Sequence, residues 1–551
     1  MLLSRRNPPV VYATLILAAL CTTATVTSLV RARSHAAGDP AFRRLDFESQ
    51  KEAPLPYPFA RRGSDTGDYH GTKVADPYRW LEQPDSHETL SWIEAEKDLT
   101  SRYMAGIPER AAINERLTKL WSYTRYGVPF TQGDVYFSFG NDGRHNHEVL
   151  YVAYSQGSEP HIMIDPDQLS PDGKRELTGA VPAHSGKFVA YGLSTSGTDW
   201  QEWRIRETRS WKDLPDDLKG VASSSVAWTK DDKSLIYSAY VAADEPKPGA
   251  KYVQNLYYHR IGTPQSQDEL IYEPPDDKNW RLEPHLAEDG RYLVIYVRTG
   301  DETNNRVYFK DLNLHDSDVV PLIDNNGSTY QFISNDGPLL WFLTNQDAPR
   351  GRVIAVDTND ALPLHWKTAV PQKDDTLEAV TAINDSFIAC YIHEGHSRVE
   401  RFDLDGQSMG EIVLPGIGIA SGFSGSRKAQ ETFYLFTSFT TPPTLYHLDA
   451  TDGKSSVFRQ PHIDVDPAEY ETRQVFYPGK DGTKIPMFVS YKKGLKLDGG
   501  NPALLLGDGA FGLSLRPNFS VMALAWMEMG GVYAVANVRG GGEYGEDWHK
   551  A

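Results

Sequence analysis

The residues from Arg539 to Gly545 read RGGGEYG, and Gly540, Gly542 and Gly545 satisfy G-x-G-x-x-G directly behind an apolar, strand-like run. In a dinucleotide site that spacing lets the backbone approach a pyrophosphate at the N-terminus of a following helix, with an acidic residue about 20 positions on to hold the ribose. Six residues follow Gly545 in this chain, so neither requirement is met within it. A structural glycine turn is expected instead, with no cofactor; an NAD-linked oxidoreductase survives only because the pattern is formally present. A serine hydrolase would show a G-x-S-x-G elbow, whose strained strand-to-helix turn lifts the nucleophile above a sheet. None occurs. The near misses GLSTSG (Gly192 to Gly197) and GFSGS (Gly422 to Ser426) lack the spacing and read as turn residues. His393, Glu394 and His396 form H-E-x-H, and His145, His147 and Glu148 sit beside an Asp-Gly pair. Neither group has the i, i+4 helical spacing of a zinc site, so both are expected to be solvated hairpin side chains and no metal is expected.

These residues sit in 551 residues that are 40% hydrophobic and 24% charged, a globular composition that excludes disordered, collagen-like and polytopic membrane classes. The formal net charge of -18 repels phosphate backbones, so nucleic acid is not an expected partner. The two cysteines, Cys21 and Cys390, are too few for a disulfide framework. At the N-terminus, residues 10–30 form an uncharged apolar stretch, with Arg5 and Arg6 before it and Arg31 and Arg33 after it. A signal anchor is the first reading of residues 1–38, a cleaved signal peptide the second and a mitochondrial presequence the third, with a misplaced start codon as the plain alternative. Membrane anchoring through residues 10–30, or entry to the secretory pathway, is the expectation that follows. Asn326, Asn384 and Asn518 each open an N-x-Ser triplet that matters only if the chain is lumenal.

Between residues 54 and 121, Thr89, Trp92, Ile93, Leu99 and Tyr103 fall near one helical face, with Glu96 its polar exception. Ile113, Leu117 and Leu120 repeat the spacing, which predicts two amphipathic helices. Beyond Tyr126 come short aromatic and β-branched runs such as VYFSF, YLVIYVR, LLWFLTN and FIACYIH, punctuated by Asp-Gly pairs at Asp142, Asp172, Asp289, Asp336, Asp405 and Asp452. Asp-Gly suits the positive-φ positions of hairpin turns. So many short strands exceed one sandwich and predict radially repeated four-stranded blades, with tandem β-sandwiches as the rival. After about Ile463 the pattern becomes strand, loop, helix, strand: PALLLG, VMALAWMEMG and GVYAVANV carry α/β texture, and the two strand runs are of the kind buried in parallel sheets. So few strands cannot bury both faces of an open sheet, so this region reads as the start of a domain.

The longer stretches DYHGTKVADPYRWLE (Asp68 to Glu82), YGLSTSGTDW (Tyr191 to Trp200), VAWTKDDKSLIYSAY (Val226 to Tyr240), DGRYLVIYVRTG (Asp289 to Gly300), DGTKIPMFVSYKKGLKLDG (Asp481 to Gly499) and ANVRGGGEYGEDWHK (Ala536 to Lys550) make the chain resemble the prolyl oligopeptidase family of serine peptidases. The resemblance implies a mostly β chain, a seven-bladed β-propeller inserted in an α/β-hydrolase domain. Residues 54–121 would be the helical N-terminal part of that domain, 122–462 the propeller and 463–551 the start of the catalytic part. It also implies cleavage of short peptides after proline, with the propeller tunnel admitting only short ones, and an otherwise monomeric, in most members cytoplasmic, protein. In the family the nucleophilic serine, aspartate and histidine follow the RGGGEYG segment, so the triad is expected beyond Ala551 and residues 1–551 alone are expected to be inactive; a non-catalytic, peptide- or partner-binding propeller is the alternative. The loop resembling the family's Y-G-Y-G-G-F reads Leu506, Gly507, Asp508, Gly509, Ala510, Phe511. Asp508 stands at the place of the tyrosine that helps stabilise the oxyanion, where an ionised carboxylate would repel developing charge. The resemblance places Phe511 in the proline pocket and gives Asp199 a supporting place facing the cavity between domains, with a hairpin-turn carboxylate as the plain reading of Asp199.

Overall fold

Seven antiparallel sheets follow one another along the chain, spanning residues 125–164, 175–222, 226–272, 280–323, 330–370, 376–412 and 419–459. Each is a meander of four strands in sequence order, the first carrying one extra short strand. The computed structural model describes residues 55–551 apart from 171, 241–252, 276–278, 301 and 315. The membrane-span expectation for residues 10–30 lies outside the described residues, among which no helix is long and apolar enough to cross a membrane.

The second strand of each sheet explains why the sheets stack in a ring. Successive side chains of a strand point to opposite faces. In Tyr292–Thr299, Tyr292, Val294 and Tyr296 pack against Tyr330, Leu340 and Phe342 of the fifth sheet. Leu293, Ile295 and Val297 pack against Ile236 and Leu256 of the third. In Ser386–His393, Phe387, Ala389 and Tyr391 face the fifth sheet while Ile388 and Cys390 face the seventh. Buried clusters of this kind lie between all six successive sheet pairs. A sheet in a sandwich buries one face against one partner; here each interior sheet belongs to two cores, which is the packing of a β-propeller and removes the sandwich alternative. The seventh and first sheets meet differently: Tyr136 and Phe433 pack edge to face at 6.4 Å, the Arg459 guanidinium lies 5.7 Å from the Tyr126 ring centroid, and Arg459 donates to the Ser158 carbonyl at 3.2 Å.

The six Asp-Gly glycines all take positive φ. Five sit in hairpins, while Gly173 lies in the crossing from the first sheet to the second, so that pair punctuates a connection between blades.

Helices His87–Ala105 and Arg110–Trp121 precede the ring. Ser86 caps the first by accepting the Thr89 amide, and Thr89 and Leu99 are buried. Tyr103, in its last turn, is exposed, so the buried face ends earlier than the spacing predicts. Leu120 reaches the core of the α/β part together with Phe488, Leu524, Met527, Tyr533 and Val535. Arg116 fixes that docking, pairing with Glu528 at 2.6 Å on helix Val521–Glu528 and with Asp464 at 2.8 Å.

The α/β sheet has the order Tyr470–Pro478, Lys484–Lys492, Val532–Ala536, Ala503–Gly507. Its last two strands are parallel, joined through helix Val521–Glu528. Val532–Ala536 is buried throughout, as its sequence predicts. Ala503–Gly507 is not: it lies on the sheet edge and alternates between exposed and half-buried, with Leu505 63% exposed. The apolar run therefore marks an edge with one neighbouring strand among the described residues.

Candidate active site

Two glycine-rich loops at the end of the α/β sheet interlock backbone to backbone. One leaves the edge strand at Gly507 and runs to Arg516; the other leaves Val532–Ala536 and contains the RGGGEYG residues. A Cβ on Gly509 would collide with the Arg539 carbonyl oxygen, and one on Gly540 with the Gly509 carbonyl. Gly512 donates its amide to the Gly540 carbonyl at 3.0 Å, and Gly542 donates to Ser514 Oγ at 3.2 Å. Glycine permits this approach because it has no side chain to place between the strands of backbone.

The short helix Glu546–Lys550 that follows does not offer its N-terminus to a ligand. The Glu546 amide donates to the Pro349 carbonyl of the propeller at 3.0 Å, and a Cβ at Gly545 would clash with that same oxygen. His549 turns back so that its Nδ1 lies 2.7 Å from the Gly540 carbonyl. The glycine run thus supports a neighbouring loop, with the Gly540 amide donated to the Trp548 carbonyl at 2.9 Å and the Gly540 carbonyl accepting the Gly512 amide.

The supported loop presents two side chains. Phe511 adopts φ 57° and ψ 25° and is 76% exposed. A left-handed conformation costs a residue with a Cβ about 1–2 kcal/mol, so the interlocked glycines hold the ring outward against its local preference. Asp508 is exposed, and its Oδ1 accepts the Ala510 amide at 2.9 Å, an Asx-type turn that aims its carboxylate along the loop. Arg539, first of the glycine run, is paired with Asp481 at 2.5 Å. Asp199 lies elsewhere, exposed in the hairpin joining Phe188–Thr195 to Trp200–Glu207, where Ser196 and Gly197 take positive φ. No hydrogen bond or ion pair joins it to Asp508 or Phe511 among the described residues.

Beneath the loops is a buried polar layer that sequence reasoning missed. Glu543 and Asn537 are fully buried, with Asn537 Nδ2 donating to Glu543 Oε1 at 3.0 Å and to the Leu515 carbonyl at 2.5 Å. Burial raises the Glu543 carboxyl above its ordinary range. Nothing in the local pattern marks these residues, since their neighbours come from a loop 22 residues before Asn537 and from the sixth blade, where Thr376 donates to the Glu543 carbonyl at 3.2 Å.

The histidine clusters depart from expectation. His393 Nδ1 is 2.8 Å from Asp375, and His396 stacks edge-on against Phe488 of the α/β sheet, 6.4 Å between centroids. Burial, followed by the charges of His393 and Arg516, lowers the His396 pKa to about 4. H-E-x-H is therefore an interface element, because the α/β sheet docks on that hairpin. His145 and His147 are likewise tied down, to Asp142 and Asp167 at 2.8 Å each. Among the described residues no group of histidine, cysteine and carboxylate side chains is arranged to hold a metal. Several histidines do lean on carboxylates, including His259 between Asp216 and Asp268, His365 on Asp360 and His447 on Glu431. None has a serine, threonine or cysteine side chain hydrogen-bonded to its ring among the described residues, so none forms a nucleophile and base pair.

Comparison with known proteins agrees with this architecture. Residues 57–461 match the family model for the prolyl oligopeptidase N-terminal beta-propeller domain, and 517–551 match that of the prolyl oligopeptidase family. The chain is 37% identical to a prolyl endopeptidase of Elizabethkingia meningoseptica over 93% of this chain and 72% of that protein. It is 29% identical to a prolyl endopeptidase of Dictyostelium discoideum over 90% of this chain and 75% of that one. Among solved structures it superposes on prolyl oligopeptidase B of Galerina marginata, bound there to a 25mer macrocyclization substrate, with a TM-score of 0.82 at 28% identity, covering 91% of this chain and 74% of that one. A propeller whose interior sheets each share two cores, docked on an α/β sheet by its sixth blade, together with these matches, places the chain in the prolyl oligopeptidase family of serine-type endopeptidases.

Proposed function

We propose that this chain handles short proline-containing peptides, held by Phe511 at the interlocked loops, with the propeller limiting the length of peptide that reaches them. The observation that carries this reading is the Phe511 ring, 76% exposed in a left-handed conformation. An apolar face presented by a rigid backbone suits a pyrrolidine ring, whose recognition needs shape and desolvation more than hydrogen bonds. Asp508 beside it adds a negative charge where acyl transfer would develop another, so it opposes an oxyanion. Asp199, exposed in its hairpin, takes a supporting place facing the cavity between domains.

Residues 1–551 by themselves bind without cleaving in this reading, the serine, aspartate and histidine of the family belonging to sequence after the glycine run. The absence of any histidine paired to a nucleophile among the described residues supports it. Residues 10–30 direct the protein to a membrane or the secretory pathway, supported by their uncharged apolar sequence. The test uses a fluorescent pentapeptide with a central proline. Its anisotropy rises on adding the 551-residue protein, chromatography finds no cleavage product, and Phe511→Ala weakens binding about tenfold, the worth of one well-packed ring contact. Product release would end the non-cleaving reading, and unchanged binding by Phe511→Ala would remove the ring from the pocket.

A further inference from the structure

Four polar atoms are buried together where the sixth blade meets the α/β part: Arg516 Nε, Asn537 Oδ1, Glu543 Oε2 and His396 Nδ1. Polar groups buried at a seam between two bodies depend on the few partners they have, so they fix how the bodies meet. Arg516 is the group that crosses it. Its backbone ends the loop that carries Asp508 and Phe511, and its root is fixed by Asn537 through the adjoining Leu515 carbonyl. Its guanidinium leaves the α/β part and enters the propeller, where Nη1 pairs with Glu378 at 2.5 Å on the sixth blade's innermost strand. Nη2 donates to Ser397 Oγ at 2.6 Å on the third strand of that blade. Ser397 Oγ in turn accepts the Ala420 amide of the seventh blade at 2.9 Å.

We infer that Arg516 is a positioning residue: it transmits the placement of the sixth blade to the loop 507–515 and so sets where Phe511 and Asp508 stand. A guanidinium suits the task because its planar fork offers two fixed directions at once, here to two different strands, whereas a lysine ammonium would be a single flexible point charge. The path continues through the glycine platform. Asn537 joins Arg516's root to Glu543, Thr376 of the sixth blade donates to the Glu543 carbonyl at 3.2 Å, and Gly512 hangs on the Gly540 carbonyl. Phe511 is thus held from below by glycines and from behind by one arginine seated in the propeller. The inference gives the proposed binding site its link to the propeller and rests on that reading for its meaning, but not for its test.

The test is hydrogen exchange on the full 551-residue chain, read for 507–515 with the second to fourth blades as internal reference. Arg516→Met is expected to speed exchange in 507–515 at least tenfold while the reference blades keep wild-type rates. Glu378→Gln, which keeps the side-chain volume, is expected to give a smaller increase in the same segment. Arg516→Lys is expected not to restore protection. The double variant Arg516→Met with Glu378→Gln is expected to match Arg516→Met alone, since both remove one interaction. Unchanged exchange in 507–515, increases that add in the double variant, or a uniform loss of protection across the α/β sheet would each overturn the inference. If Arg516→Met does not fold, Glu378→Gln and Ser397→Ala decide by the same segment. Failure of the wild type to bind a proline peptide would remove the pocket reading and leave this result standing, because exchange needs no peptide.

Discussion

Leu339–Thr344 in the fifth propeller sheet and Ala503–Gly507 in the α/β sheet are both short runs of large apolar side chains. The first has a packed sheet on each face, with Leu340 and Phe342 turned toward the fourth blade and Trp341 and Leu343 toward the sixth. The second has a single neighbouring strand among the described residues and leaves Leu505 largely in solvent. The same composition is thus a shared core in one place and a sheet edge in the other. What decides is how many bodies pack on the strand, which is set by residues far away in sequence.

The widest gap between the two regions is expected on truncation. Phe342→Ala opens a cavity in a core shared by two blades and is expected to cost about 3–5 kcal/mol, measured by urea unfolding with a propeller tryptophan as probe. A loss below 1 kcal/mol would show that the blades relax independently.

A second contrast concerns pH, and its two halves have opposite signs. For His259 burial lowers the pKa, but the hydrogen bonds and charges of Asp216 and Asp268 outweigh it and raise the value to about 9. A raised folded pKa contributes stability that is complete below the unfolded value of about 6.5 and fades as pH climbs toward 9. His396 behaves in reverse: with a folded pKa of about 4 it favours the docked state above about 6.5 and weakens it as pH falls toward 4. Groups facing His396 are His393, Asp375 and Arg516. Thermal melting followed from pH 4 to 9 should therefore show the propeller transition declining on the alkaline limb, flattened by His259→Gln. Protection of Lys484–Lys492 should decline on the acid limb, flattened by His396→Phe. Identical limbs in wild type and variant would show that other groups govern each region.

The smallest effect is expected at the edge. Leu505→Ser should change stability by less than about 0.5 kcal/mol and lower self-association in sedimentation at high concentration, since an exposed apolar edge strand is an invitation to pair. A large destabilisation would show that the edge is covered in solution.

The sequence makes the two-faced strands legible because burial on both sides leaves an unbroken apolar run, as in YLVIYVR and FIACYIH. The inner and outer strands are far less so. Arg175–Pro182 and Asp213–Ala222 border solvent and carry RELTGAVP and DLPDDLKGVA, which have no clear period. The Asp-Gly turns are visible because the constraint is local, and only Gly173 serves a connection between blades. At the candidate site Asp508 and Phe511 stand out through their resemblance to a family loop, and RGGGEYG through its glycines. Arg516 and Glu543 do not. The partners of Arg516 lie 138 and 119 residues away, and no local pattern encodes a contact at that separation.

The interlocked glycines also limit how this region can change over generations. Gly509 and Gly540 each face a carbonyl oxygen of the other loop where any side chain would collide, so neither can be replaced unless the opposing loop moves as well. A substitution at one is deleterious on its own, and a pair of simultaneous changes is rare. Asp508, Ala510 and Phe511, exposed above the platform, carry no such restriction. Inheritance is therefore expected to keep the platform and vary what it displays, so that the three displayed positions change while the backbone beneath them stays the same.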